Sequence, residues 1–190
     1  MGIREMNDGR AVFLDRDGLL NRALTRNNKP YPPSTIEEVE IPEGVPEALH
    51  SLRDAGFLLL VVTNQPDVAR GTQDPAALNA INNFLSERLP LDHIYVCPHD
   101  DADKCDCRKP LPGLFHRAAM EYSLTLADCY MVGDRWRDID AGHAAGCRTV
   151  LIDYRYAERG PTRPPDQTVS SLPEAAAWIL QHAGVNSTAL

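Results

Sequence analysis

Short runs of apolar residues alternate along the chain with longer segments in which apolar residues recur at helical spacing. The runs predict buried strands at residues 11–14, 57–62, 93–96, 130–132 and 149–152, and the longer segments predict helices at 46–55, 75–88, 112–122, 138–145 and 173–182. Strand–helix alternation is typical of a mostly parallel sheet with helices on both faces. No internal repeat or linker interrupts the pattern, so we expect an α/β, Rossmann-like fold in a single domain over residues 1–190.

Polar residues follow four of the predicted strands, at the point where each strand ends. Asp15 and Asp17 follow the first strand, Thr63 the second, and Asp134 the fourth, while Lys109 comes after a cysteine-rich segment that follows the third. In parallel sheets ligands bind at the carboxyl ends of the strands. These side chains are therefore predicted to meet in one cleft.

Composition and charge exclude several classes of function. The net charge of −8 argues against a broad nucleic-acid surface, although a few local cations can still bind a small anionic substrate. The longest apolar run, residues 57–62, is too short to cross a bilayer, and the polar N-terminus lacks the apolar stretch of a secretory signal. We therefore expect a cytoplasmic protein with no nucleic-acid or membrane partner, and nothing in the sequence requires more than a monomer.

Two close carboxylates stand in the segment DRDG, where Asp15 and Asp17 are two residues apart. Their mutual repulsion would be relieved by a divalent cation, and hard oxygen ligands favour Mg²⁺. A plain turn with two acids explains this segment equally well when it is taken alone. Asp134, a third carboxylate after another strand, is what a magnesium site would need beside Asp15.

The cysteines favour a second metal. Cys97, His99, Cys105 and Cys107 form the pattern C-x-H-x5-C-x-C, and three thiolates with one imidazole make a closed tetrahedral set of the kind that structural zinc occupies. The alternative is a loop with incidental cysteines. Zinc bound here would hold the loop that carries Arg108 and Lys109. Cys129 and Cys147, which lie beside predicted strands, are expected to be small buried side chains.

The segments FLDRDG, VVTNQ, CDCRKPLPG and VGDRWRDI resemble, in order and spacing, the four motifs of the haloacid-dehalogenase superfamily. The resemblance implies a magnesium-dependent phosphatase in which Asp15 is the nucleophile, Asp17 the general acid and base, and Thr63 and Lys109 hold the phosphoryl oxygens. It implies magnesium ligands on Asp15, Asp134 and the main-chain carbonyl of Asp17, with Asp138 in support. It also places the following residues at the substrate: Arg16, Asn64, Gln65, Arg70, Arg108 and Arg135.

Within the superfamily, the cysteine-rich loop followed by CRKP is similar to the heptose-bisphosphate and histidinol-phosphate phosphatases, which lack a cap domain. The run TNQPDVARG resembles the heptose enzymes, which implies removal of the 7-phosphate from D-glycero-D-manno-heptose 1,7-bisphosphate. Histidinol phosphate remains an alternative substrate, and a catalytically silent, zinc-stabilised phosphate-binding module is a third reading. The segment 21–43 is longer than the resemblance leads us to expect, and it is either a substrate-side flap or a solvated loop.

Overall fold

The computed structural model describes residues 8–184. The polar N-terminal stretch that argued against a signal sequence lies largely in residues 1–7, outside the described residues. The strands, in chain order, are β1 (Ala11–Leu14), β2 (Leu24–Arg26), β3 (Lys29–Tyr31), β4 (Leu58–Asn64), β5 (His93–Cys97), β6 (Tyr130–Gly133), β7 (Arg148–Ile152) and β8 (Gln167–Val169). Six of them form one sheet in the order β5-β4-β1-β6-β7-β8, and every neighbouring pair in it is parallel.

Within residues 8–184, five α-helices cover the sheet: α1 (Val45–Asp54), α2 (Pro75–Arg88), α3 (Gly113–Tyr122), α4 (Trp136–Ala145) and α5 (Leu172–His182). Successive side chains of a strand point to opposite faces of the sheet, so the residues of β1 pack into two apolar clusters, one on each face. Val12 and Leu14 pack into the cluster that contains the apolar residues of α1, α2 and α5. Ala11 and Phe13 pack into the other cluster, with residues of α3 and α4. Burial on both faces explains why the central strands are continuous apolar runs.

The predicted fold class is confirmed, and all ten predicted elements are present with small shifts at their ends. The largest shifts are of two residues: β4 extends to Asn64 instead of ending at residue 62, and α4 begins at Trp136 instead of Asp138. The sequence hides this start because Asp138 itself caps the helix: its carboxylate accepts a hydrogen bond from the main-chain nitrogen of Arg135 (3.0 Å). Cys129 and Cys147 are buried in the second cluster, as expected.

The sequence pattern missed β8 and the antiparallel hairpin of β2 and β3. Each of these strands has three residues, too few to show an alternating pattern. The hairpin turn is made by Asn27 and Asn28, both with positive φ (50° and 56°), a conformation that asparagine tolerates well. Across residues 8–184 the hairpin is the largest structure inserted after Asp17, so no cap domain follows that position. None of the helices in this range combines the length and apolar character needed to cross a membrane.

Candidate active site

Polar residues that follow β1, β5 and β6 and that end β4 meet in one pocket at the carboxyl edge of the sheet. Of the predicted residues, Asp15, Asp17, Thr63 and Lys109 line it, whereas Asp134 is buried beside Asp15 and Asp138 and does not. Its volume is about 330 Å³. The lining residues are Asp15, Asp17, Lys29, Pro30, Tyr31, Pro32, Thr63, Asn64, Pro66, Asp67, Arg70, Asp101, Arg108, Lys109, Arg135, Arg137, Asp138 and Glu158. Acidic and basic side chains are equally numerous in this set, although the whole chain carries a net charge of −8. The pocket can therefore accept an anion that the rest of the surface would repel.

Lys109 is the central cation of the pocket floor. Its ammonium group is only 2% exposed and contacts three oxygens: Asp15 Oδ1 at 2.7 Å, Asp138 Oδ1 at 2.6 Å and the Val62 carbonyl at 2.6 Å. Burial alone would lower the pKa of Lys109, but the charges of Asp138 and Asp15 outweigh it and raise the pKa. The lysine is therefore held charged, beside the residue predicted to be the nucleophile.

Asp15 is buried at the end of β1, and its main-chain nitrogen donates to the carbonyl of Val132 on β6 (3.0 Å). Burial, which has the largest effect, and the charges of Asp138 and Asp17 raise the pKa of its carboxyl group, Lys109 lowers it, and the net result is a pKa of about 6. A cation added beside the carboxylate would reverse this shift by favouring the charged form.

Asp134 is the most unusual acid of the site. Both of its carboxylate oxygens are buried without a hydrogen-bond partner within the usual distance and angle limits, although the Tyr156 hydroxyl is near enough to interact with them. Burial, together with the charges of Asp15 and Asp138, raises the pKa of Asp134. A buried carboxylate without donors is unfavourable unless another group, such as a cation, compensates it.

Gly18 allows Asp134 to approach so closely. Its φ is +91°, and a Cβ atom at this position would lie 1.9 Å from Asp134 Oδ2. The glycine that follows Asp17 is therefore required by both the backbone conformation and the neighbouring carboxylate.

A divalent cation fits this set of acids. One ligand atom from each of Asp15, Asp134 and Asp138 lies within 4.8 Å of the others, and all three residues are buried. Together with Lys109 they leave two net negative charges, which a divalent cation would neutralise. Oxygen-only ligands suit Mg²⁺. The sequence analysis gave Asp138 a supporting role, whereas its position would also allow it to contact such an ion directly.

Asp17 lines the pocket beside Asp15, and its carboxylate is bound on both oxygens. Arg16 and Asn21 donate to Oδ1, and Arg16 and Gln65 donate to Oδ2. Arg16 is fully buried and Gln65 is 2% exposed, and neither lines the pocket. In this structure Arg16 and Gln65 contact Asp17, and their predicted contacts with a substrate stay a prediction.

Thr63 and Asn64 end β4 at the pocket. The Thr63 hydroxyl accepts a hydrogen bond from Gln65 Nε2 (2.9 Å). The Asn64 side chain pairs with the main chain of Lys109 in both directions, each at 3.0 Å. Asn64 thus holds the Lys109 backbone in addition to lining the pocket where the sequence placed it.

The rim of the pocket carries arginines that are each matched with an acid. Arg70 donates to both oxygens of Asp100 (2.7 and 2.8 Å), which lowers the pKa of that carboxyl group to about 2. Arg108 donates to Asp101 at 2.7 Å. Further along the rim Arg135 pairs with Glu158, through Nε at 3.0 Å. The three arginines lie at the pocket, as predicted, and a substrate anion would compete with these acids for them.

The predicted zinc ligands form a compact group directly before Lys109. Cys107 Sγ lies 3.2 Å from Cys97 Sγ, 3.5 Å from Cys105 Sγ and 3.3 Å from His99 Nδ1, and all four ligand atoms are within 4.8 Å of one another. A tetrahedron of zinc–sulfur bonds of about 2.3 Å has edges of about 3.8 Å. The group therefore fits a tetrahedral zinc ion.

The β2–β3 hairpin forms a wall of the pocket through Lys29, Pro30 and Tyr31. Its turn is tied to the segment after β7, because Asn28 accepts from the Ala157 nitrogen and donates to the Arg155 carbonyl, both at 3.0 Å. This placement favours the substrate-side flap over the solvated loop for segment 21–43.

Comparison with known proteins agrees with this geometry. A HAD-hydrolase-like family model matches residues 106–175, which include Lys109 and Asp134. A D-glycero-beta-D-manno-heptose-1,7-bisphosphate 7-phosphatase of Haemophilus ducreyi is 37% identical over 75% of this chain and 82% of its own length. The enzyme of the same name from Pseudomonas aeruginosa is 34% identical over 90% of this chain and 97% of its own length.

The chain belongs to the haloacid-dehalogenase superfamily.

Among solved structures, the D,D-heptose 1,7-bisphosphate phosphatase of Bordetella bronchiseptica, complexed with magnesium and phosphate, superposes with a TM-score of 0.79. It is 32% identical, and the match covers 92% of this chain and 99% of that one. These findings confirm the superfamily that the four motifs predicted. The relatives compared above are named as phosphatases, which are phosphoric monoester hydrolases.

Two charged residues that line the pocket were not predicted from the sequence. Arg137 and Glu158 line the pocket, yet neither follows a predicted strand directly. Arg137 lies one residue past Trp136 in the first turn of α4, where its NH1 group approaches the Lys109 carbonyl at 3.4 Å. The charged sequence RWRD at this helix start was the available signal, but without the helix boundary it did not indicate that Arg137 faces the pocket as well as Arg135.

Proposed function

We propose that this protein is a magnesium-dependent phosphatase that removes the 7-phosphate from D-glycero-D-manno-heptose 1,7-bisphosphate. The observation that carries the chemistry is the arrangement of Asp15, Lys109 and Asp134: a buried carboxylate beside a buried ammonium group, and a second buried carboxylate close by whose oxygens have no hydrogen-bond partner within the usual distance and angle limits. The substrate is supported by the relatives of that name, which align with up to 90% of the chain.

In the first step an Asp15 oxygen forms a bond to phosphorus while the ester P–O bond breaks. Thr63 and Lys109 bind the phosphoryl oxygens, and the positive charge of Lys109 stabilises the negative charge of the transition state. Asp17 donates a proton to the departing sugar oxygen. The product of this step is an aspartyl-phosphate on Asp15.

In the second step Asp17 takes a proton from a water molecule, whose oxygen attacks phosphorus as the aspartyl P–O bond breaks. Asp15, Asp134 and the Asp17 carbonyl would hold Mg²⁺, and Asp138 lies where it could add a ligand oxygen. When bound, the ion supplies positive charge between the Asp15 carboxylate and the phosphate. The ion pair between Lys109 Nζ and Asp138 Oδ1 (2.6 Å) holds the ammonium group in place.

We also propose that Cys97, His99, Cys105 and Cys107 hold a structural zinc ion. The closed set of four ligands leaves no position for a substrate or a water molecule. The zinc ion would stabilise the loop that positions Arg108 and Lys109, which follow Cys107 directly.

Phosphate release from a panel of esters tests the proposal. The panel contains the α and β anomers of heptose 1,7-bisphosphate, heptose 7-phosphate and histidinol phosphate, each with Mg²⁺ and with EDTA. We expect the bisphosphates to give the highest kcat/KM, the β anomer to exceed the α anomer as the names of the relatives suggest, and EDTA to abolish release.

The variant Asp15→Asn, purified identically, controls for contaminating phosphatases. A higher kcat/KM for histidinol phosphate would refute the sugar assignment while leaving the phosphatase chemistry intact. Absence of release from every ester would favour a silent phosphate-binding module.

A further inference from the structure

Arg16 is a buried charged residue that the proposed chemistry leaves without a task. Its side chain is 0% exposed, although it directly follows the nucleophile in sequence. Burying a guanidinium group is costly unless its charge and its donors are matched. The contacts that match them indicate what the residue does.

All three nitrogen groups of Arg16 have partners. Nε donates to Asp17 Oδ1 at 3.1 Å and NH2 donates to Asp17 Oδ2 at 3.0 Å, so the planar fork binds the carboxylate through both oxygens. NH1 donates to Asn82 Oδ1 at 2.8 Å. Asn82 lies on α2, whose Ile81 and Leu85 pack in the same apolar cluster as Leu14 and Leu19. A continuous chain of hydrogen bonds therefore runs from α2 through Arg16 to Asp17.

A bidentate fork restrains the carboxylate more than a single hydrogen bond does. Two parallel N–H groups fix both the position and the plane of the Asp17 carboxylate, which is 15% exposed at the pocket. Asn21 and Gln65 add one neutral donor to each oxygen, at 3.1 and 2.7 Å, and one of these donors must move aside when Asp17 carries its proton, while the fork of Arg16 keeps its hold. The position matters because a shift of about 1 Å in a catalytic group can lower a rate by about 10²-fold.

We propose that Arg16 is a positioning residue for the acid–base Asp17, and that Asn82 on α2 holds Arg16 in the required orientation. This inference rests on the proposed function, since it needs Asp17 to protonate a leaving group. Arg16 acts only through Asp17 and contacts no substrate. Loosening the chain of hydrogen bonds should therefore weaken proton transfer and leave the binding of the phosphoryl group unchanged.

Two substrates with different leaving groups distinguish a loss of proton transfer from a loss of phosphoryl binding. A sugar alkoxide must be protonated as it departs, whereas p-nitrophenolate leaves at neutral pH without a proton. Because kcat/KM reports on the steps up to departure of the leaving group, the ratio of the two kcat/KM values isolates the acid function of Asp17. A general loss of folding or of phosphate binding would lower both values together.

The test compares Asn82→Ala with Asn83→Ala, the same change at the exposed neighbouring position of α2. Complete loss of general acid catalysis lowers a rate by about 10²- to 10⁴-fold, so for a loosened acid we expect about a tenfold drop in kcat/KM on the sugar phosphate. On p-nitrophenyl phosphate Asn82→Ala should stay within about twofold of wild type. Asn83→Ala should match wild type on both esters.

Arg16→Lys keeps the positive charge and removes the planar fork. Asp17→Asn removes the acid itself and therefore gives the largest expected loss of kcat/KM on the sugar phosphate relative to p-nitrophenyl phosphate. We expect Arg16→Lys to fall between Asn82→Ala and Asp17→Asn on the sugar phosphate. Since the buried arginine contributes to folding, circular dichroism and thermal unfolding accompany the kinetics, and Asn82→Ala tests the inference if Arg16→Lys does not fold.

The outcomes are distinct. An active wild type with equal losses on both esters, or with Asn82→Ala indistinguishable from Asn83→Ala, overturns the positioning role and leaves the proposed function standing. A wild type that releases phosphate from neither ester overturns the proposed function and this inference with it.

Discussion

Replacing Lys109 by methionine tests the charge balance on which the site depends. Methionine keeps most of the aliphatic volume but removes the ammonium group. The side chain is 2% exposed, and the three oxygens it contacts, on Asp15, Asp138 and Val62, lie at 2.6 to 2.7 Å. The variant would leave the two carboxylates buried without their cation.

The expected loss of stability is large. Removing one partner of a buried ion pair destabilises a protein by about 3–5 kcal/mol, because the remaining charge is uncompensated. A small domain has a free energy of unfolding of about 5–15 kcal/mol, so Lys109→Met should lose a large part of it. The turnover number of the protein that remains folded should fall by about 10²- to 10³-fold, as when one donor to a transition-state oxyanion is removed.

Urea unfolding in magnesium-free buffer measures the loss of stability, since a bound Mg²⁺ ion would replace part of the missing charge. No chelator is added, because it would also remove the proposed zinc ion. The control is Lys104→Met, the same substitution at an exposed position of the cysteine-rich loop, which should stay within about 0.5 kcal/mol of wild type. In a double-mutant cycle, Asp138→Asn should recover about 1–3 kcal/mol of the sum of the single losses, because one of the uncompensated charges is removed. A loss of less than 1 kcal/mol for Lys109→Met, comparable to the control, would refute this reasoning.

Three further predictions follow from other parts of the site. Asp15→Asn should abolish phosphate release with an unchanged circular dichroism spectrum, because the nucleophile is lost, and retained turnover would exclude the covalent mechanism. Cys105→Ser should lower zinc content, measured by mass spectrometry, together with the melting temperature, and a fully active zinc-free variant would contradict the structural role. Gly18→Ala should lose both stability and Mg²⁺-dependent activity, because the new Cβ would lie 1.9 Å from Asp134 Oδ2. Gly71→Ala, where φ is also positive (+70°) but nothing lies within 4 Å, isolates the backbone strain, and equal effects of the two variants would argue against the clash.

The hairpin of β2 and β3, and its position at the pocket, could not be predicted from the pattern of apolar and polar residues. Its strands have three residues each and no alternation, so the segment could be read either as a flap or as a loop. Lys29, Pro30 and Tyr31 reach the pocket because the turn is anchored to the segment after β7, more than 100 residues further along the chain. Such a contact leaves no trace in local periodicity.

The chain by itself determined the fold class and the main acids and cations of the site. Continuous apolar strands that are buried on both faces require helices on both sides, and parallel strands bring their carboxyl ends to one edge. Asp15, Thr63, Lys109 and Asp134 could therefore be located from their places after strands. Only the tertiary structure decided the finer roles. Arg16 stands next to Asp15 in sequence but turns inward to Asp17, since the direction of a side chain after a strand depends on the local turn and on which partners the packed helices supply.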